Sequence, residues 1–274
     1  MIPVNMIPEW KEIPLLIFPQ LKECGIVKHG FTTRLGGVSE GIFSTLNLSF
    51  SRGDERSHVE ENYRRLAEAL GVRYESFVLS DQTHTTNVIR VGREDAGNGI
   101  LYEQKYKDVD GMVTNEEGVT LVTFHADCVP LYFVDPRHHA IGLSHSGWRG
   151  TVERMGEATL AKMRDEFGTN PSDVLCAIGP SICQNCYEVG EDVAEKFREA
   201  FSGEKDLVTE KGNGKYRLDL WRANEVLLLE AGVLQEHLSV TKLCTCCHPE
   251  LLFSHRASMG KRGNLAAVMA LKSK

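Results

Sequence analysis

Between residues 77 and 144 several short β-branched and aromatic runs follow one another with no helical period among them. Phe77–Ser80, Val88–Val91, Val119–Phe124, Leu131–Val134 and Ala140–Ser144 each read as a strand. A doubly wound parallel sheet needs a helix between successive strands, so this stretch argues for mixed α+β packing. Ile26–Thr32 and Val174–Ile178 add strands on either side, and Lys211–Lys215 reads as a hairpin turn. Helical periodicity falls outside the strand-rich stretch. Ser57–Leu70 opens on a Ser57/Glu60 capping box and stops at Gly71. Thr151–Phe167 ends at Gly168, Glu191–Phe201 repeats the pattern, Asp219 caps a helix running to Gly232, and a further helix is expected after Asn264.

The 274 residues are 42% hydrophobic and 25% charged, a composition that excludes collagen, coiled-coil and disordered chains. No repeat, low-complexity tract or Pro/Ser-rich linker divides residues 1–274, which are read as a single domain. The net charge of −7 repels phosphate polymers, so nucleic acid is not an expected partner. No apolar stretch is long enough for a membrane span. Residues 1–18 are broken by prolines and charges and do not read as a secretory signal. A cytoplasmic, reducing setting is therefore expected, in which eight cysteines are buried, catalytic or metal-bound rather than paired.

Reactive residues gather just outside predicted strands. They are Gln82-Thr83-His84, then His125-Ala126-Asp127-Cys128, then His145-Ser146-Gly147-Trp148-Arg149-Gly150. A thiolate with two imidazoles suits zinc, and copper less selectively. Three protein ligands leave a fourth position open, as catalytic zinc requires. His125, three residues from Cys128, competes as a ligand. The Gly147–Gly150 turn feeds a helix start and reads either as an anion site with Arg149 or as a plain tight turn. Arg34, in a Gly-rich segment with Asn47 downstream, reads either as an anion fork or as a surface arginine on a turn. Cys183-x-x-Cys186 and Cys244-Thr245-Cys246-Cys247-His248 read as a closed structural zinc site, a redox pair or partly buried free thiols, the last being favoured.

These motifs, in this order, resemble one family. Thr33-Arg34 with Gly36-Gly37-Val38-Ser39, Leu46-Asn47-Leu48, Gln82-Thr83-His84 and Asp108-Val109-Asp110-Gly111 match it. So do Ala126-Asp127-Cys128-Val129-Pro130, His145 to Gly150, Gly179-Pro180-Ser181-Ile182, Cys186-Tyr187-Glu188-Val189, Leu218-Asp219-Leu220 and Phe253-Ser254-His255-Arg256. The chain resembles the laccase-domain family, also called the polyphenol oxidase or peptidoglycan editing factor family. The resemblance implies a layered α/β/β/α sandwich similar to the catalytic domain of cytotoxic necrotizing factor toxins. It implies a zinc-dependent purine nucleoside phosphorylase with adenosine deaminase activity, acting on adenosine, inosine, guanosine and 5′-methylthioadenosine with phosphate. It places the metal ligands on His84, Cys128 and His145 and demotes His125, which stands where the family usually has a small residue.

Asp127, beside Cys128, is the carboxylate best placed by sequence to move a proton or orient a ligand. Arg34, Asn47 and Arg149 are the candidates for substrate and phosphate contacts. Three rival readings remain. One is a copper-dependent polyphenol oxidase, which would need roughly ten histidines, mostly in HxH pairs. This chain has ten histidines and no such pair. Another is a cysteine hydrolase with Cys128 as nucleophile. The third is a metal-stabilised interaction protein. A homodimer is the base-rate expectation for a soluble oligomer.

Overall fold

The computed structural model describes residues 7–9 and 13–273. Most of residues 1–12, on which the reading of the N-terminus rests, lies outside them. In chain order the elements begin with β1 (Ile7–Glu9), β2 (Leu15–Ile17), α1 (Pro19–Glu23), β3 (Val27–Thr32), α2 (Arg56–Leu70), β4 (Phe77–Leu79) and β5 (Val88–Arg90). Then come β6 (Gly111–Thr114), β7 (Thr120–His125), β8 (Val129–Asp135), β9 (Ala140–Ser146), α3 (Trp148–Val152), α4 (Met155–Phe167) and β10 (Leu175–Ile178). The chain closes with β11 (Glu188–Gly190), α5 (Glu191–Ala200), β12 (Val208–Gly212), β13 (Lys215–Leu218), α6 (Leu220–Glu230), β14 (Leu238–Val240) and β15 (Leu265–Leu271).

Two mixed sheets stack face to face. One runs β1-β2-β3-β15-β7-β4 and the other β14-β10-β8-β9-β6-β5. Between them lies a dry layer that includes Phe31, Met112, Leu121, Tyr132, Leu143 and Met269. On the outer face of the first sheet, α2 buries Val59, Tyr63 and Leu66 against Phe77 and Val268. On the outer face of the second, α4, α5 and α6 close a further layer with Leu160, Met163, Phe197 and Leu227. The order helix, sheet, sheet, helix is the expected α+β sandwich. A small sheet, β11-β13-β12, flanks α5, and its β12–β13 hairpin contains the turn read at Lys211–Lys215.

Three local expectations give way to the structure. The run after Asn264 is not a helix but β15, the strand between β3 and β7. Every residue from Leu265 to Leu271 is buried. With both faces covered, the alternation that marks a half-exposed strand is lost, and two alanine pairings look helical. The helix read from Thr151 to Phe167 is two helices, because Arg154 adopts φ 62° at the junction. The Ser57/Glu60 capping box does not form: α2 starts at Arg56, with Asp54 accepting from the Glu55 amide. Asp219 does cap α6, accepting from the Arg222 amide at 3.0 Å, and left-handed Gly71 and Gly168 end α2 and α4.

The fully buried Tyr132 joins the two sheets through its hydroxyl. The hydroxyl donates to the Gly30 carbonyl on β3 at 2.8 Å. Tyr132→Phe leaves the Gly30 carbonyl buried without that partner. It should lower unfolding free energy by about 1–3 kcal/mol, read as a shifted denaturant midpoint with an unchanged m-value.

Candidate functional site

The site forms where the chain crosses between the sheets. Strand β7 belongs to the first sheet and β8 to the second, and residues 126–128 make the crossing. The β4-to-β5 connection crosses in the same direction and carries His84. His145 lies near the end of β9, opposite Pro130 of β8. One His ring nitrogen from each histidine and Cys128 Sγ all lie within 4.8 Å of one another, with 3.9 Å from Cys128 Sγ to His84 Nε2. His84 is exposed, Cys128 half-buried and His145 buried, so the trio closes inward and opens outward.

Asp110 sets this geometry. Its carboxylate accepts the amides of Thr83 at 2.9 Å, His84 at 3.1 Å and Thr85 at 3.0 Å, which holds His84 in a left-handed turn with φ 70°. The same carboxylate takes His145 Nδ1 at 2.7 Å, which leaves Nε2 for the cluster. Burial works against the Asp110 charge, but His145 and the loop amides outweigh it and hold the carboxyl below its usual range. Burial likewise raises the Cys128 thiol, and the two histidines overcome this, pulling it down to about 6. Burial lowers His145, but Cys128 and Asp110 raise it to about 9. Both shifts favour a thiolate on Cys128 beside a protonated His145.

Gly147 covers the cluster from the α3 side. A Cβ there would meet His84 Cδ2 at 2.9 Å and Cys128 Sγ at 3.2 Å, so no side chain fits. His125 is not part of the trio. Its Nδ1 meets the Cys128 carbonyl at 3.1 Å and its Nε2 meets Thr123 Oγ1 at 2.9 Å. Both ring nitrogens are engaged, and burial, helped by His145, keeps the ring neutral.

The trio floors a cleft of about 380 Å³, within the size range of small-molecule sites. Its walls include Phe50, Arg52, Asp81, Phe124 and Arg262. Other residues singled out by sequence lie elsewhere. Arg34 donates to the Ser44 and Pro249 carbonyls and stacks on Phe253. Asn47 is buried, bonding Ser49, Asp54 and the Asn264 amide. Arg149 is exposed over the Trp148 ring, in a separate groove. Asp127 accepts the Thr245 hydroxyl at 2.6 Å and the Arg256 amide at 2.7 Å, so each carboxylate oxygen is already engaged.

The cations that do line the cleft are Arg52, which belongs to no motif, and Arg262, which ends the run Met259-Gly260-Lys261-Arg262, a string without the glycine spacing of a P-loop. Arg262 Nε is buried without a hydrogen-bond partner among the described residues. Burial, with Arg52 close by, pushes the Arg262 guanidinium down to about 10, so it stays charged at neutral pH.

The donor set of two imidazoles and a thiolate, oriented from behind by Asp110 and open in front, fits a borderline-soft divalent metal such as zinc. Asp110→Asn should weaken zinc binding roughly 10–100-fold, measured by competition with a chromophoric chelator.

Comparison with known proteins agrees with the architecture. Residues 28–272 match the model of a family described as multi-copper polyphenol oxidoreductase laccase. The purine nucleoside phosphorylase YlmD of Bacillus subtilis is 38% identical over 245 residues, covering 89% of this chain and 88% of that protein. A purine nucleoside phosphorylase of Bacteroides thetaiotaomicron is 36% identical over 264 residues, covering 95% and 97%. The crystal structure of YlmD from Geobacillus stearothermophilus superposes with a TM-score of 0.90 at 36% identity, covering 99% of this chain and 100% of that one. With a family match from residue 28 to 272 and relatives aligned over most of their length, the chain belongs to the multi-copper polyphenol oxidoreductase laccase family.

Proposed function

We propose that this protein is a metal-dependent purine nucleoside phosphorylase that also deaminates adenosine, working in the cleft floored by His84, Cys128 and His145. The observation that carries this reading is the pairing of an open three-donor cluster with two arginines in one cleft, one of them holding a buried, unpartnered N–H. The names of the relatives support the reaction class.

A divalent metal held by the trio, zinc in this reading, supplies Lewis acidity beside the reacting base. Arg52 and Arg262 hold the phosphate, whose oxygen forms the new bond to C1′ of the ribose. The bond from C1′ to the purine nitrogen breaks, and the purine leaves with the electron pair and takes up a proton. The Phe50 and Phe124 rings offer apolar surface to the base, and Asp81 offers an acceptor for ribose hydroxyls. Adenosine deamination exchanges the C6 amino group for a water oxygen and releases ammonia. In the protein as folded, Asp127 holds the loops around Cys128 rather than facing the cleft.

Inosine incubated with the purified protein should yield hypoxanthine only when phosphate is present, and adenosine should yield inosine without it. Cys128→Ala should abolish both reactions and lower metal content. Full turnover with full zinc in that variant would reject the assignment. Arg262→Gln should raise KM for phosphate roughly tenfold to a hundredfold, the cost of losing a charge-assisted bond of about 1.5–3 kcal/mol. It should leave phosphate-independent deamination largely intact.

A second reading draws on the thiolate–imidazolium pair, which is also the resting state of a cysteine hydrolase. Chelation separates the two, because a thiol hydrolase survives it. The copper polyphenol oxidase reading finds less support in the donors. Among the described residues the candidate metal clusters contain two histidines in all, both in the trio, which is too few for a multicopper centre.

A further inference from the structure

Two turns far apart in sequence bring four thiols together on the side of Cys128 away from the cleft. Cys183, Cys186, Cys244 and Cys247 have sulfurs all within 4.8 Å of one another, and Cys186 Sγ lies 3.4 Å from Cys247 Sγ. A tetrahedral zinc with Zn–S bonds of about 2.3 Å holds its sulfurs about 3.8 Å apart. The observed spacing is therefore that of a tetrathiolate shell before small adjustment. The spacing in sequence also resolves: with Cys246 left out, the crowded C-terminal motif is a Cys-x-x-Cys pair matching the first. A strand bridge aligns the two turns, Ser181 beside Cys244, with Thr245 N donating to the Ser181 carbonyl at 3.2 Å.

Backbone donors line the two turns. In the first turn the Cys186 amide bonds the Cys183 carbonyl at 3.1 Å. The Cys183 amide adds a further bond to Cys244 Sγ at 3.2 Å. Backbone N–H donors aimed at sulfur stabilise thiolates rather than thiols. Two guanidinium groups sit beside the turn. Arg217 reaches the Asn185 side chain and keeps a buried Nε with no partner among the described residues, and Arg256 donates to the Cys186 and Glu188 carbonyls.

We infer that Cys183, Cys186, Cys244 and Cys247 form a second metal site, a closed tetrathiolate centre for zinc that is structural rather than catalytic. Four protein ligands leave no position for water or substrate. The site fastens the strap that holds Cys128 in place. Thr245, between its third and fourth ligands, and Arg256 each donate to Asp127, and the Asp127 carbonyl takes the Ile182 amide beside the first turn. The metal thus locks the loops that carry the neighbour of the cleft's own cysteine.

The test counts metal in the full-length protein purified under reducing conditions and reconstituted with zinc alone. Wild type should hold two equivalents, Cys128→Ser one, and Cys186→Ser/Cys247→Ser one. Cobalt-loaded Cys128→Ser protein should show the intense sulfur-to-cobalt and visible bands of tetrahedral tetrathiolate coordination, a readout that does not depend on the double variant folding. Cys128→Ser protein without bound metal, or a cobalt spectrum with nitrogen ligands, would overturn the inference. So would disulfide-linked peptides joining these cysteines as the main species in the reduced preparation.

Discussion

The bond network around Asp110 is the interaction on which the site depends. A carboxylate with no solvent exposure would be costly if left unpaired, yet this one accepts three consecutive loop amides and an imidazole N–H. Those bonds join the β4-to-β5 loop to the end of β9. The loop amides fix His84 in a conformation that non-glycine residues seldom adopt, and the Nδ1 bond fixes which nitrogen of His145 faces the cleft. A longer or neutral side chain at this position could not do both.

The sandwich explains why the site stands where it does. Each crossing from one sheet to the other must turn sharply at the rim, where no ladder partner is available for the backbone. The 125–128 crossing solves this with side chains and carbonyls: His125 caps the Cys128 carbonyl, and Asp127, at φ 94°, takes Thr245 and Arg256. Strain of this kind persists only when its surroundings over-determine it. Here they do so from both sides, His125 from within the core and the cysteine turns from outside.

What the sequence disclosed follows the same logic. The strands between residues 77 and 144 were legible because turn residues punctuate them, and the mixed α+β class followed from their crowding, whereas the layering came from the family resemblance. His84, Cys128 and His145 stood out because reactive residues at strand ends have few structural uses. β15 was not legible, since a strand covered on both faces loses its period, and nothing local marks Arg154 as a break between helices. Arg262 was hidden for a different reason: its run Met259-Gly260-Lys261-Arg262 lacks the spacing of a P-loop, and only the fold brings it to the cleft beside Arg52. His125 looked like a ligand by spacing, and only its two bonds show that both ring nitrogens are already engaged.

The two cysteine-containing clusters differ in charge as well as in closure, and the difference matches their surroundings. A divalent cation on two neutral imidazoles and one thiolate leaves a positive centre, in a cleft that also holds Arg52 and Arg262. In the proposed function such a place would concentrate an anionic co-substrate even though the chain as a whole is acidic, because burial weakens screening locally. The same cation on four thiolates leaves a negative centre, and there the nearby guanidinium groups of Arg217 and Arg256 offset the charge and bind the turns together. Exchanging the environments would disfavour both: an anion would be repelled from a tetrathiolate, and a positive open site beside Arg256 would loosen the strap around Asp127. The placement of charge therefore separates a cluster built to admit a ligand from one built to hold the chain.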